Sequence, residues 1–489
     1  MSARLSDLLA GIATIDPARD VIVNGLALDS RQIKSGDVFV ALQGAASHGI
    51  TFAPSALASG ASIVLTEAPP PAVFKNQDSS VVAVDRLREH LGEIAARFFG
   101  RPSVQLKMIG VTGTNGKTSI VQLLAAALES LGARAATIGT LGAGLVGAIE
   151  EGARTTPDVI SVQGLLAEFR DAGATHVAME VSSHALDQGR VDAVEFDVAV
   201  FTNLTRDHLD YHGTMEDYGA AKQKLFAWKK LRAAVVNVDD AFGRQLVEGL
   251  RDDVQQIRYA IDNAAEVRAE KVRTSDRGLE FHLITPWGEG EIATPLLGHF
   301  NVYNLLAVAG CLGALGYTFT QIQNALSKLK PVAGRMNRLG GGDAPLVVID
   351  YAHTPDALEQ ALTSLRAHTG GELICVFGAG GERDQGKRPQ MGAIAEKLAD
   401  RVIVTDDNPR GENGDQIVAQ ILAGLHQCNH ARVMRDRDAA IRTAICESRP
   451  GDVVLIAGKG HEPYQEIGGI KHAFDDAVVA RKALESRLC

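Results

Sequence analysis

Val111-Thr112-Gly113-Thr114-Asn115-Gly116-Lys117-Thr118 decides the fold. An apolar run over 106–111 precedes it and reads as a buried strand. A helical pattern follows over 119–131 and stops at Gly132. Strand, glycine loop and helix form the setting that a phosphate-binding loop needs. The glycines let backbone N–H groups turn inward around phosphate oxygens with no Cβ in the way. The helix N-terminus adds positive potential at the same place. Lys117 would reach the β- and γ-phosphates of a nucleotide, and the Thr118 hydroxyl would hold Mg²⁺. One position departs from the general pattern: Val111 stands five residues before Gly116, where a glycine is expected, with Gly110 and Gly113 on either side.

Working outward, 489 residues suggest about three domains at roughly 150 residues each. The net charge of −10 gives no general electrostatic case for a nucleic-acid surface. Five cysteines, Cys311, Cys375, Cys428, Cys446 and Cys489, are widely spaced and contain no Cys-x-x-Cys pair. That pattern argues against a disulfide framework or a zinc knuckle, fits a reducing cytosol, and reads as buried small hydrophobes. Residues 1–15 carry Arg4 and Asp7 and lack a signal-peptide core. The longest apolar stretch, 305–317, is interrupted by glycine and too short to span a bilayer. A soluble cytoplasmic protein is expected, with no nucleic-acid partner and no membrane insertion.

The fold class expected is α/β in three domains. Residues 1–102 read as a small α/β unit: two short strands around a turn within 26–42, a helix at 54–59, a strand at 61–66, a Pro69-Pro70-Pro71 loop and an amphipathic helix at 87–99. Gly100 and Pro102 punctuate its end. Residues 103–334 hold the phosphate loop, and further strands are expected at 176–181 and 197–202. Their alternation with helices implies a mostly parallel sheet, whose ligands sit beyond the carboxyl ends of the strands. Three strand ends thus deliver the glycine loop, Glu180, and Asp207 with His208 to one edge. Helices at 301–315 and 320–329 close this part, before Pro331 and Gly334. Residues 335–489 read as a second, doubly wound, Rossmann-like unit. Its strands are expected at 347–350, 373–377, 401–405, 431–434 and 453–457, and its helices at 356–368, 389–398, 415–425, 438–447 and 477–488. The run Gly378-Ala379-Gly380-Gly381-Glu382-Arg383 fails as a dinucleotide fingerprint, because Arg383 stands where the third glycine belongs.

Chemistry follows from the clusters. Mg²⁺ prefers oxygen ligands, which makes Thr118 and Glu180 plausible first-choice groups. His208 is an unusual Mg²⁺ ligand; it could serve a second ion or be a structural histidine in a polar turn. His208 and His212 are spaced like zinc ligands, but Gly213 follows and no third soft ligand is near. Lys222 taken alone reads as a solvated helix lysine. In the last unit Arg383 and Arg410 are candidates to clamp a carboxylate, since guanidinium binds carboxylate bidentately. Glu462 could take an ammonium.

The motif Thr112–Thr118, Glu180-Val181-Ser182-Ser183-His184, the stretch 203–212, His299-Phe300-Asn301-Val302-Tyr303-Asn304-Leu305, Asp350-Tyr351-Ala352-His353-Thr354-Pro355 and Asp407-Asn408-Pro409-Arg410 together resemble the Mur ligase family over essentially the whole chain. The resemblance implies an N-terminal domain that binds a UDP-linked substrate (1–102), a central ATP-binding domain (103–334) and a C-terminal amino-acid-binding domain (335–489). It implies an ADP-forming ligase that adds meso-diaminopimelate to UDP-N-acetylmuramoyl-L-alanyl-D-glutamate through an acyl phosphate, in peptidoglycan precursor synthesis. ATP and two Mg²⁺ ions are the implied cofactors, and a monomer is implied. By the same resemblance Lys117, Glu180, His208 and Lys222 are catalytic, with Lys222 carbamylated. Thr118, Glu180, His208 and Lys222 hold metal. Gly113, Thr114, Asn115, Gly116, Lys117, Thr118, Ser119, Asn304, Arg335 and Asp350 hold the nucleotide.

Leu28, Ser30, Thr155, Thr156, Ser182, Gln188 and Arg190 would hold the UDP-muramoyl-dipeptide. Arg383, Asp407, Asn408, Pro409, Arg410, Gly458 and Glu462 would hold diaminopimelate. Arg410 would clamp the far carboxylate, which lysine lacks; an arginine left without its anion would cost roughly 3–5 kcal/mol. Two stretches depart from the family pattern: Ala45-Ala46-Ser47-His48-Gly49-Ile50, near the expected uridine contacts, and Arg154, where the family often has Asn. An L-lysine-adding Mur ligase, a folylpolyglutamate synthase-like ligase and a nucleotide-driven switch are the alternatives.

Overall fold

A computed structural model of the chain describes residues 1–44, 47–68, 80–152, 154–275, 278–426 and 431–487. The expectations on Ala45, Ala46, Pro69, Pro70, Pro71, Cys428, Leu488 and Cys489 lie outside these residues. The chain separates into two compact units: Met1–Arg258 with Gly310–Gly316, and Tyr259–Ala309 with Tyr317–Cys489.

The first unit begins with a four-stranded sheet of Gly25–Ala27, Asp37–Ala41, Ile63–Glu67 and Val81–Val84, parallel throughout and in chain order. The first two strands were expected to flank a simple turn, yet they run parallel. A short 3₁₀ turn, Ser30–Gln32, opens on the Asp29 side chain, which accepts from Arg31 N, and the chain between the strands returns to the same edge. Asp37–Ala41 is buried on both faces, with Val38 and Val40 in one core and Phe39 and Ala41 in another. A strand covered on both sides reads as an unbroken apolar run. Helix Leu87–Phe98 lays Leu87, Leu91, Ile94, Ala95 and Phe98 into the first of these cores, and the chain turns away at Gly100, where φ is 70°.

A second parallel sheet in this unit has the order Ala135–Gly139, His176–Glu180, Lys107–Thr112, Val198–Phe201, Ala233–Asn237. Lys107–Thr112 is central, so its carboxyl end lies between those of His176–Glu180 and Val198–Phe201, as the strand alternation implied. Gly110 is required mid-strand because a Cβ there would sit 2.8 Å from the Phe196 ring. The strand Ala135–Gly139 and the hairpin Gly142–Leu145/Ala148–Glu150 were not foreseen. Ala135–Gly139 is only five residues long, with Thr137-Ile138 its sole β-branched pair between alanines and a glycine, and its burial comes from its neighbours.

In the second unit, Val267–Ser275, Gly278–Thr285 and Gly288–Thr294 form an antiparallel meander. Helix Phe319–Ser327 starts on a Thr318–Gln321 capping box. The main sheet has the order Asn337–Gly340, Leu346–Asp350, Val453–Ala457, Leu373–Phe377, Arg401–Val404, Ala431–Val433, and all pairings are parallel except the first. Alternate residues enter two cores: Val348, Cys375, Val404 and Leu455 on one face, Ile349, Val376, Ile403 and Ile456 on the other. Helices Pro355–Arg366 and Lys387–Leu398 contribute to the first core, and Arg437–Glu447 and Asp476–Arg487 to the second. This is the doubly wound arrangement expected. Cys311 and Cys375 are buried as anticipated, whereas Cys446 lies on the exposed side of its helix. Among the described residues no helix is long and apolar enough to cross a membrane.

Candidate functional site

The glycine loop turns where the sequence places it. Gly113 has φ 144° and Gly116 φ 88°, and a Cβ on Gly113 would collide with Thr202 Oγ1. Helix Lys117–Ser130 begins directly after Gly116 and buries Thr118 and Ser119 in its first turn. The neighbouring strand end braces the loop: Asn115 N donates to Asn203 Oδ1 at 2.9 Å, Thr114 N to Asn203 O at 2.8 Å, and Thr202 Oγ1 to Asn115 O at 2.6 Å. Lys117 Nζ folds onto its own loop, donating to Gly113 O at 2.9 Å and Thr114 O at 2.7 Å.

Lys222 joins it there. Thr214 caps helix Met215–Gln223 through Asp217 N, and this start puts Tyr218 and Lys222, four residues apart, on the buried face. Lys222 is 1 % exposed, donates to Gly113 O at 2.9 Å and lies 4.0 Å from the centre of the Tyr218 ring. The reading of Lys222 as a solvated helix lysine is therefore corrected. Burial, and then the Lys117 ammonium, hold its pKa well below the usual lysine value. Burial also pushes the Tyr218 phenol up to about 12.

Glu180 ends the adjacent strand almost fully buried, and both its oxygens accept from one residue: Oε1 from Thr140 N at 2.7 Å, Oε2 from Thr140 Oγ1 at 3.2 Å. Thr140 Oγ1 also meets Thr155 Oγ1 at 3.2 Å, and Thr156 Oγ1 donates to Glu180 O at 2.8 Å and approaches Ser182 Oγ at 3.4 Å. Ser182 itself caps the short helix Ser183–Asp187. Arg190 donates through Nε to Gln188 Oε1 at 3.0 Å and through Nη1 to Thr156 O at 3.0 Å; burial, and then Arg154, lower its pKa. Thr155, Thr156, Ser182, Gln188 and Arg190 thus form one connected group beside Glu180. Leu28, Gln188, Arg190 and Arg154 line one cavity of about 260 Å³, and Leu28, Asp29 and Arg154 also line a larger one of about 850 Å³. Ser30 follows Asp29 in the chain and opens the 3₁₀ turn.

His208, with φ 53°, sits where the loop after Val198–Phe201 enters a short helix, and its ring packs against His184 at 4.8 Å between centroids. His184 also meets Tyr211 at 4.2 Å and His212 at 5.3 Å. Burial lowers the pKa of all three histidines; for His184, with its two histidine neighbours adding to burial, it falls to about 4. No group of three or more His, Cys, Asp or Glu with metal-site geometry occurs among the described residues. Thr140, Tyr218 and His184 escaped the sequence reading. Thr140 follows the strand that was missed, and His184 stood in a quoted motif with no chemistry assigned to it.

Within the second unit, Asp407, Asn408, Arg410, Gly458 and Glu462 come together. Asn408 Nδ2 donates to Glu462 Oε2 at 2.8 Å, and a Cβ on Gly458, with φ 114°, would run into Asp407 Oδ2. Pro409 joins Asn408 to Arg410, which has φ 52° and donates from Nη1 to Gly381 O at 2.7 Å. Arg410 Nε lies 3.4 Å from Glu466 Oε2. Arg383 is exposed, and a Cβ on Gly380 would lie 3.0 Å from Arg410 Nη1 and 3.7 Å from Arg383 Cγ, so the two arginines flank that glycine. Asp350 accepts from Met336 N at 2.8 Å; burial raises its pKa and Arg335 opposes the rise. Arg335 stacks on Tyr351 at 4.9 Å. Asn304 is buried and donates to Asn301 Oδ1 at 2.7 Å.

A glycine loop at a strand end, two converging lysines and a buried carboxylate at the next strand define an α/β protein built to handle a polyphosphate. Comparison with known proteins specifies which kind. Three family models match: Mur ligase family, catalytic domain, over residues 22–99; Mur ligase middle domain over 111–312; and Mur ligase, glutamate ligase domain, over 334–460. The chain belongs to the Mur ligase family and carries its three domains. A UDP-N-acetylmuramoyl-L-alanyl-D-glutamate–2,6-diaminopimelate ligase of Xanthomonas campestris pv. campestris is 59 % identical over 486 residues, covering 99 % of this chain and 97 % of its own. The ligase of the same name from Pseudomonas aeruginosa is 52 % identical over 467 residues, 95 % of this chain and 96 % of its own. A solved structure of a ligase of that name superposes with a TM-score of 0.76 at 36 % identity, covering 100 % of both chains. The MurF ligase of Thermotoga maritima in complex with ADP shares the fold, with a TM-score of 0.64 at 18 % identity over 97 % of this chain and 99 % of its own.

Proposed function

We propose that the chain is an ATP-dependent, ADP-forming amide ligase that joins meso-diaminopimelate to UDP-N-acetylmuramoyl-L-alanyl-D-glutamate in peptidoglycan precursor synthesis. The observation that carries the chemistry is the convergence of Lys117 and Lys222 on Gly113 O at the mouth of the phosphate loop. The substrate assignment is supported by whole-length identity to ligases of that name. We further propose domain boundaries at 1–102, 103–334 and 335–489, a cytoplasmic location and a monomer.

The reaction sets a carboxylate against a triphosphate, two anions that repel. The D-glutamyl carboxylate oxygen attacks the γ-phosphorus and ADP leaves, giving an acyl phosphate. The amine of the incoming amino acid then attacks the acyl carbon, and the tetrahedral adduct collapses with loss of phosphate. Lys117, swung from its loop carbonyls, would neutralise the transferring phosphoryl group, and the loop and helix start over 113–119 would cradle the phosphates. Thr118, Glu180, His208 and a carbamylated Lys222 would hold two Mg²⁺ ions, which would supply further charge neutralisation. The donor set suits this: Thr118 and Glu180 offer oxygens, and burial keeps His208 neutral and able to ligate. Lys222 suits it too, because a lysine held below its ordinary pKa offers more of the free amine that adds CO₂, releasing one proton and leaving anionic oxygens. Asn304, Arg335 and Asp350 would hold the rest of the nucleotide. Leu28, Ser30, Thr155, Thr156, Ser182, Gln188 and Arg190 would hold the UDP-linked dipeptide, and Arg383, Asp407, Asn408, Pro409, Arg410, Gly458 and Glu462 the amino acid.

The test is a ligation assay with UDP-muramoyl-dipeptide, ATP and a panel of amino acids. Phosphate release that depends on diaminopimelate, with a new amide product, is expected. Equal hydrolysis of ATP with or without the amino acid would refute the ligase reading and favour a nucleotide switch.

A further inference from the structure

Lys459 is a buried cation that none of the roles above uses. Its side chain is 0 % exposed, in the turn after strand Val453–Ala457. An ammonium out of water must find acceptors or lose its charge. Lys459 Nζ donates to Asn408 Oδ1 at 3.0 Å and to Glu462 Oε2 at 3.1 Å, and the Tyr464 ring centre lies 5.3 Å away. These contacts decide how the two partners are presented. Asn408 Oδ1 accepts both from Lys459 and from Glu466 N, at 2.9 Å, so its Nδ2 is the end turned to Glu462 Oε2. An amide with two N–H groups then has one left. Glu462 spends Oε2 on Lys459 and Asn408, and its Oε1 has no protein hydrogen bond among the described residues.

We propose that Lys459 is a positioning residue of the amino-acid site: it fixes the Asn408 amide orientation and anchors one oxygen of Glu462. The other oxygen and the outer amide N–H are thereby presented to an amino acid's ammonium and carboxylate. The inference rests on the reading of this cluster as the amino-acid site. Lys459 touches no substrate itself. Without its ammonium, Asn408 can turn over and Glu462 can leave for solvent, and both must be recovered when the ligand binds.

Kinetics of the full chain carrying Lys459→Met test this, with each substrate varied in turn. The KM for diaminopimelate should rise about 10- to 100-fold, the worth of one or two charge-assisted hydrogen bonds. The KM values for ATP and the UDP-linked dipeptide should stay within about twofold, and kcat should fall less than about fivefold. An unchanged amino-acid KM, or an equal rise in all three, overturns the proposal. Lys459→Gln keeps an amide donor on a somewhat shorter side chain and serves where Met prevents folding; a rise smaller than that for Met but above about threefold is expected, and none overturns the idea. If the wild-type chain ligates another amino acid, the substrate assignment fails, while the same KM ratio measured with that amino acid still decides the role of Lys459.

Discussion

Removing the Arg410 side chain should reduce selectivity between diaminopimelate and lysine, by an amount the structure sets. An arginine left facing no anion would reject lysine at a cost of roughly 3–5 kcal/mol. Arg410 is not in that position. Its Nε already lies 3.4 Å from Glu466 Oε2, Nη1 donates to Gly381 O at 2.7 Å, and the side chain is 17 % exposed. With lysine bound it would keep a resident carboxylate and some water, so only the gain from the second carboxylate remains. A hydrogen bond to a charged group is worth about 1.5–3 kcal/mol, or roughly 10- to 150-fold. Arg410→Ala should therefore lower kcat/KM for diaminopimelate by that factor and change the value for lysine by less than about threefold. Glu466→Gln should act in the opposite sense, widening the preference, because Arg410 would then lack its resident anion when lysine binds. Competition ligations with both amino acids, resolved by product mass, give both ratios. Equal losses with the two amino acids in the alanine variant, or an unchanged preference, would refute the reasoning.

Other outcomes follow from the same geometry. Lys117→Ala should abolish ligation and leave the melting temperature within a few degrees, because the side chain donates to two carbonyls of its own loop and belongs to no apolar core; near-normal turnover would remove the phosphate-loop assignment. Ligation should fall when CO₂ is stripped from the buffer and recover with bicarbonate, and a ¹³C-labelled carbamate should be lost in Lys222→Ala; insensitivity to CO₂ together with no labelled signal argues against the modification. Asp29 should titrate near 2, since the Arg31 side chain, and then its backbone N–H, favour the carboxylate over the free value of 3.8. The pKa is depressed on folding, so this contribution is present above about 3.8 and is lost as the pH falls from there towards 2. It is small because Arg31 is largely exposed, and Arg31→Ala should return the titration towards 3.8; no movement in a carboxyl NMR titration would contradict the pairing.

Local chemistry was legible in the chain, and tertiary burial was not. The turn at Gly113 and Gly116, the strands ending at Glu180 and Asp350, and the loop from Asp407 to Arg410 announce themselves through residue type and order. Lys222 does not. Its helix carries Glu216, Asp217 and Gln223 around a weak apolar face, and only the packing of Tyr218 and the approach to Gly113 O make it a buried amine. Thr140 is silent for a similar reason: it binds Glu180 through its backbone as much as through its side chain, after a short strand, Ala-Ala-Thr-Ile-Gly, that carries little pattern of its own. Lys459 sat in a motif whose glycines and acid drew the reading, yet its place beside Asn408 depends on the loops after Arg401–Val404 and Val453–Ala457 meeting although Leu373–Phe377 lies between their strands. The parallel pairing of Gly25–Ala27 with Asp37–Ala41 was likewise decided by the turn between them, and the apolar pattern fits either direction.

The brace around Gly113 has a consequence for what the loop can recognise. On the proposed function its ligand-facing groups would be N–H donors at the helix start, the Thr118 and Ser119 hydroxyls, and the Lys117 and Lys222 ammonium groups, which donate to carbonyls of the loop itself. All of these read negative oxygens, and none reads a heterocycle. ATP, GTP and inorganic triphosphate would present the same outline to it, so the loop would supply grip without choosing the base. Discrimination among nucleotides would then have to be made by side chains outside 113–119, and a substitution that changes the base used would belong there and leave the glycines untouched.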